Sequence, residues 1–272
     1  MTFRDINSTI LCCIVALTMT GCSDPDTAAP ESTPSTPITE QTNVPEEPAN
    51  AAPAEVTYAP APEGKVLRHA VFFSFKEEST DEDITRIVDA FRALPSKIPE
   101  IIDFQWGTNN SPEELNDGFT HCFLLTFKDE SGRAVYLPHE DHKAFGGVLR
   151  GHNEQVFVVD YWGTVGQEPL EKELKHAVFF RFKEDATPEA IKQVEDGFAA
   201  LPSKIDTIKR FEWGTNNSPE KHAAGFTHCF MVSFDSEEGR AAYLPHADHQ
   251  AFVEVLKPIL DAPRVMDFWV EK

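Results

Sequence analysis

Basic side chains are scarce in this chain. Twenty-four Lys and Arg stand against 45 Asp and Glu, a formal net charge of -21. Such a surface repels phosphate backbones and anionic headgroups, which excludes nucleic acid as a direct ligand. Long apolar runs are missing too. The run Ile10-Leu-Cys-Cys-Ile-Val-Ala-Leu17 is too short to span a membrane as a helix. There is no glycine-rich phosphate loop, no Gly-x-Ser-x-Gly and no Cys-x-x-Cys, so the common nucleotide, serine-hydrolase and dithiol signatures are absent. Cysteine is sparse, and three of the five lie at positions 12, 13 and 22. The other two, Cys122 and Cys229, read as buried thiols serving as small hydrophobes, with a disulfide between them left open.

What is present begins with a leader. Arg4 precedes the short apolar run, which ends at Thr18-Met-Thr-Gly-Cys22, so residues 1–21 have signal-peptide form. The small residues Thr20 and Gly21 before Cys22 resemble a bacterial lipobox, although Met19 replaces the more usual Leu. That pattern implies cleavage before Cys22, its acylation, and a lipid-anchored protein on the periplasmic or extracellular face of a bacterial envelope. Residues 22–64 are rich in Pro, Thr, Ala and Glu. They have too few large apolar groups to offset ordering entropy, so a disordered tether is expected.

Beyond the tether the chain repeats itself. The segment from His69 to Trp162 returns without a gap 107 residues later as His176 to Trp269, and 53 of the 94 aligned positions are identical. A unit of this size exceeds solenoid repeats and reads as two copies of one small domain. The copies occupy 65–163 and 175–272, joined by a linker over 164–174. With 41% hydrophobic residues, including 21 Phe, the chain can fill two modest cores.

Within the first copy, the Val- and Phe-rich run 67–75 predicts a strand. Thr80 is a fair N-cap, and Ile84, Ile87, Val88, Phe91 and Leu94 keep helical spacing until Pro95. Strands are expected over 101–108, 119–127 and 156–162. Helix is expected over 130–137 and again over 139–149, with Pro138 between them. The order βαββαβ is that of a ferredoxin-like unit, an α+β fold repeated twice. In the first strand Val71, Phe73 and Phe75 point one way and Ala70 and Phe72 the other. In the third, Phe123, Leu125 and Phe127 oppose Cys122 and Leu124. Strands apolar on both faces need both faces covered, and helices cover only one. The second repeat is expected to cover the other, the two sheets closing into an intrachain α/β barrel and making a pseudo-dimer within one chain.

Several recurring pieces carry a family resemblance: His69 opening a strand, Leu94-Pro-Ser-Lys-Ile, Trp106-Gly, Gly118-Phe-Thr-His121, Tyr136-x-x-His139-x-x-His142 and Asp160-Tyr. Together they resemble the stress-responsive dimeric α/β-barrel (Dabb) family. The resemblance implies a ferredoxin-like subunit that usually dimerises. Members include plant stress-response proteins and a plant polyketide cyclase, whose catalytic Tyr and His lie in the Tyr-x-x-His-x-x-His stretch. Carried over, those roles fall on Tyr136 and His142 and on Tyr243 and His249, with His as general base and Tyr as hydrogen-bond donor. The resemblance also implies His69, His121, His176 and His228 as ligand-binding residues around the pocket.

On one straight helix, residues six apart diverge by roughly 120°. A bend at Pro138 would bring Tyr136 and His142 together. A purely structural role under the second helix is the competing reading. The pair His139 and His142 has no evident third ligand, so no metal and no cofactor are expected. Gly146 and Gly147 stand where the second copy has Val253 and Glu254, which predicts a roomier first pocket. Two functions follow: an envelope-anchored binding or stress-related module for a small apolar ligand, or a cofactor-free cyclase- or isomerase-type enzyme.

Overall fold

A computed structural model describes residues 57–272 except Gln167 and Pro169. The expected leader, Cys22 and most of the expected tether lie outside these residues. In the first repeat β1 (Lys65–Phe75), α1 (Asp81–Arg92), β2 (Ile101–Thr108) and β3 (His121–Phe127) are followed by α2 (Glu130–Tyr136), α3 (Glu140–Leu149) and β4 (Asn153–Thr164). The second repeat runs β5 (Leu174–Phe182), α4 (Pro188–Ala199), β6 (Arg210–Thr215), β7 (His228–Phe234), α5 (Glu237–Tyr243), α6 (Ala247–Leu256) and β8 (Leu260–Trp269). β5 begins inside the segment expected as linker.

The caps follow from the sequence. Thr80 and Asp83 form a reciprocal capping box at α1, satisfying donors that the first turn leaves unpaired. Between α2 and α3, Pro138 lacks the N–H that a continuing helix would need. His139 leaves helical geometry at ψ 141°, and its ring Nδ1 accepts from the Asp141 N–H at 3.2 Å. This histidine caps a helix.

Each repeat forms a four-stranded antiparallel sheet, in the order β2-β3-β1-β4 and β6-β7-β5-β8. The opposed strand faces fill three apolar layers. Val71, Phe73, Phe123, Leu125 and Phe127 pack under the first repeat's helices with Ile87, Phe91 and Phe145. Val178, Phe180, Phe230, Val232 and Phe234 form the corresponding layer in the second. Ala70, Phe72, Cys122 and Leu124 pack between the sheets against Ala177, Phe179, Cys229 and Met231. Each buried Phe there contributes about 2–3 kcal/mol. Both cysteines are free and buried; burial pushes their thiols well above the ordinary range, which suppresses thiolate reactivity.

The expectation of a closed barrel needs correction. The sheets pack face to face without strand-paired closure. Among the described residues, one edge meets through a single bridge between Trp106 and Glu271. Elsewhere, loops take the edge hydrogen bonds. Asn216 Oδ1 accepts from the Asp160 N–H at 3.0 Å, and the Asn217 N–H donates to the Asp160 carbonyl at 2.9 Å. Asn109 and Asn110 do the same for Asp267 at 2.9 and 2.8 Å. An edge strand whose polar groups are already satisfied has little to offer a second strand.

Two polar clusters cross between the repeats. Glu212 of β6 accepts from Arg68 Nε at 3.0 Å, from the Tyr161 hydroxyl at 2.9 Å and from the Thr164 N–H at 3.0 Å. In the other cluster the Arg264 guanidinium carbon lies 4.8, 4.3 and 4.5 Å from the ring centres of Phe119, Phe157 and Phe226. Asp117 holds its far side at 2.8 Å.

Candidate functional site

The break at Pro138 does what the spacing argument requires. Tyr136 at the end of α2 and His142 in α3 stack with ring centres 4.2 Å apart. Both line a cavity of about 540 Å³ between the first sheet and its helices. Val71, Phe73, Phe91, Phe145 and Val158 supply an apolar wall, and His69 lies on the sheet side. Gly146 borders the space, and a Cβ added there would meet nothing within 4 Å.

The protonation states follow from the contacts. His142 Nδ1 lies 3.0 Å from the Leu137 carbonyl oxygen. A carbonyl can only accept, so Nδ1 carries the hydrogen and Nε2 keeps its lone pair. Burial lowers the His142 pKa, and the hydrogen bond to Leu137 offsets this only in part. A neutral imidazole with an available Nε2 is a general base. Burial drives the Tyr136 pKa well upward, with Glu220 and Asp160 adding to it. Its hydroxyl therefore stays protonated, as a donor.

Behind the pair runs a buried ionic chain. His69 Nδ1 meets Asp160 Oδ1 at 2.7 Å, and Arg133 donates to Asp160 Oδ2 at 2.7 Å. Arg133 is held in turn by the Asn217 side-chain oxygen at 2.9 Å. Burial alone would lower the His69 pKa, but Asp160 and then Glu220 outweigh it and the net is raised. Burial likewise opposes ionisation of Asp160, and His69 with Arg133 reverses this and lowers its pKa. Glu220 Oε2 stands 3.7 Å from His69 Nε2 and has no hydrogen-bond partner.

The second repeat repeats most of this. Tyr243 and His249 lie 4.3 Å apart, and His249 Nδ1 donates to the Leu244 carbonyl at 2.9 Å. His176 pairs with Asp267 at 2.7 Å, and Asp267 with Arg240 at 2.8 Å.

Of the histidines expected around the pocket, His69 and His176 sit beside the Tyr/His pairs, but His121 and His228 do not. His121 opens β3, with its ring against Phe75 at 5.0 Å and Nδ1 2.9 Å from the Thr120 hydroxyl. His228 pairs with Glu195 at 3.1 Å and stacks on Trp213. Position along the strand explains this for His121: it shares the helix-side face with Phe123, but it pairs with Phe73 at the end of β3 remote from α2, whereas His69 pairs with Leu125. Arg133, Asp160, Glu220 and His222 were missed as site residues. Arg133 and Asp160 recur in the second copy as Arg240 and Asp267, and Glu220 has its equivalent in Glu113 of the first. A repeated arginine on a short amphipathic helix was the signal that it needed a buried partner.

Comparison with known proteins bears on the fold and the family. The chain is 35% identical over 95 residues to the stress-response A/B barrel domain-containing protein HS1 of Arabidopsis thaliana, covering 35% of this chain and 87% of that one. It is 27% identical over 95 residues to olivetolic acid cyclase of Cannabis sativa, covering 35% and 94%. The fold is similar to that of an anthrone oxidase-like protein at a TM-score of 0.53, with 11% identity over 79% of this chain and 94% of that one. The stress responsive A/B barrel domain profile matches residues 67–163 and again 174–270. The chain therefore belongs to the stress responsive A/B barrel domain family, as two tandem copies.

Proposed function

We propose that the first-repeat cavity binds a small, largely apolar molecule bearing a carbonyl group and moves a proton on it without a cofactor. The observation that carries this reading is the fixed tautomer of His142, beside a tyrosine that stays protonated. His142 Nε2 would take a proton from a carbon next to the carbonyl. The electron pair of the C–H bond moves into an enolate, whose oxygen accepts a hydrogen bond from the Tyr136 hydroxyl. The proton then returns from His142 to carbon, giving exchange or isomerisation, or the enolate carbon attacks a second carbonyl of the same molecule, closing a ring and leaving an alkoxide that takes the proton from His142. A general base typically contributes about 10²–10⁴-fold. That a relative is named a cyclase supports the ring-closing version.

The test is deuterium uptake at the acidic carbon of a simple β-keto ester in heavy water, followed by proton NMR against buffer alone. His142→Ala should remove most of the protein-dependent rate, and Tyr136→Phe should lower it about tenfold or more. Saturable binding without protein-dependent exchange would leave a binding module, which the apolar wall alone could sustain. Exchange unaffected by either substitution would refute the assignment.

We further propose that Cys22 carries a lipid and displays the folded part from a bacterial envelope. This reading rests on the short apolar run and the small residues before Cys22. Mass spectrometry of the mature N-terminus should find a diacylglyceryl-modified Cys22; an unmodified chain beginning elsewhere would end the idea.

A further inference from the structure

The two Tyr/His pairs are nearly superposable in their internal distances, yet the surroundings differ at the lip. The loop after β6 reaches across to the first repeat, where the Val158 N–H donates to the His222 carbonyl at 3.4 Å. The loop after β2 makes the reciprocal reach, with the Val265 N–H donating to the Leu115 carbonyl at 3.0 Å. Residues 115 and 222 are repeat equivalents. The preceding residues, Glu114 and Lys221, both hold positive φ, 58° and 61°. That left-handed step costs an L-residue energy, and here it comes directly before the residue whose carbonyl bonds the other repeat, Leu115 or His222.

The delivered side chains differ in kind. His222 stands exposed and lines the first cavity beside Glu220, whereas Glu220 itself has a counterpart in Glu113, whose Oε2 stands 3.7 Å from His176 and is likewise unpartnered among the described residues. Leu115 packs into the apolar layer of the second repeat. Val253 joins that layer where the first repeat has Gly146, and Leu256 is buried where Leu149 lines the cavity. The Tyr243 hydroxyl is buried and has no hydrogen-bond partner among the described residues.

We propose that the chain has one working site: the second repeat lends Glu220 and His222 to the first cavity as a polar lip, while Leu115 and Val253 plug the equivalent position in the second repeat. The lip also sets the ligand class. Glu220 Oε2 is an unpartnered acceptor, which selects a hydroxyl, phenolic or enolic, at that end of an apolar molecule and disfavours a carboxylate there. The proposal rests on reading the cavity as a ligand site.

The probe is 2-naphthol, with stoichiometry measured by equilibrium dialysis on the full folded chain. The wild type should bind one molecule per chain. Leu115→His with Val253→Gly should raise this to two, and the reciprocal Gly146→Val with His222→Leu should lower it to none. Each substitution installs a residue that the other copy already carries, and circular dichroism checks the fold. Where a double variant fails to fold, Val253→Gly or Gly146→Val alone should move the stoichiometry in the same direction. Glu220→Gln should also raise affinity for 2-naphthoate relative to 2-naphthol by tenfold or more; an unchanged ratio would overturn the assigned ligand class. Two molecules per wild-type chain, or one that survives Gly146→Val with His222→Leu, would overturn the proposal while leaving the proposed function standing. No binding of 2-naphthol by the wild type would overturn the proposal, and the β-keto ester exchange would then decide the proposed function by itself.

Discussion

His142 shows how a single backbone carbonyl can assign a side chain its chemistry. The Leu137 oxygen, freed where α2 stops, holds the Nδ1 hydrogen, and burial keeps the ring neutral. The base form thus persists to lower pH than in a free imidazole. The exchange rate should be level above about pH 6.5 and fall only below it, as the pH drops through the depressed His142 pKa. A rate still rising with pH above neutrality would point to a different base.

His69 titrates in the opposite sense. Its folded pKa lies above the unfolded value, so its contribution to stability is full below about pH 6.5 and is lost as pH rises through the folded pKa. Asp160 is depressed; its contribution is present above about pH 4 and lost as pH falls through its own folded pKa. Thermal melts should therefore show wild-type Tm declining as pH rises above about 6.5. His69→Gln with His176→Gln should flatten that slope. Glu212→Ala should be costlier than any of these, about 3 kcal/mol or more by urea denaturation, because it leaves the Arg68 guanidinium mostly buried without its carboxylate.

Legibility also varied by residue. The meeting of Tyr136 and His142 was readable because a proline stands between them. The misplacement of His121 and His228 arose because a family pattern marks recurrence and not direction. Glu220 and His222 were out of reach, since they belong to the other repeat, and His222 follows a residue with positive φ.

Among the elements, α3 depends on the residue that caps it. His139 accepts from the Asp141 N–H, so His139→Ala should destabilise the protein by about 1 kcal/mol. It should also lower exchange at the site that α3 carries. His139→Asn, a good cap, should restore both, as a urea titration and the deuterium assay would show. The strand faces were legible because period-two alternation is strict and every apolar position has a layer to enter. Edge pairing was not, because the asparagines that satisfy the edges look like ordinary turn residues until the second sheet is beside them.

At the scale of the whole molecule, the middle layer explains why two copies share a chain. Phe72, Phe157 and Phe179 are covered only when both sheets are present. Either repeat expressed alone should therefore dimerise or aggregate, because its bare sheet face is a large apolar patch; a soluble, monomeric single repeat in analytical ultracentrifugation would contradict this packing.

The two isolated repeats should not behave alike. Arg264 occupies in the second copy the position that Phe157 holds in the first, and the two side chains face each other at 4.3 Å. A self-pair of first repeats sets phenylalanine against phenylalanine. A self-pair of second repeats sets one guanidinium against another, so the first should homodimerise more tightly. The cation–π contact exists only in the mixed pair. It acts as a mating type written into one position, favouring union of unlike halves over union of like ones, and a strictly symmetric homodimer could never encode it.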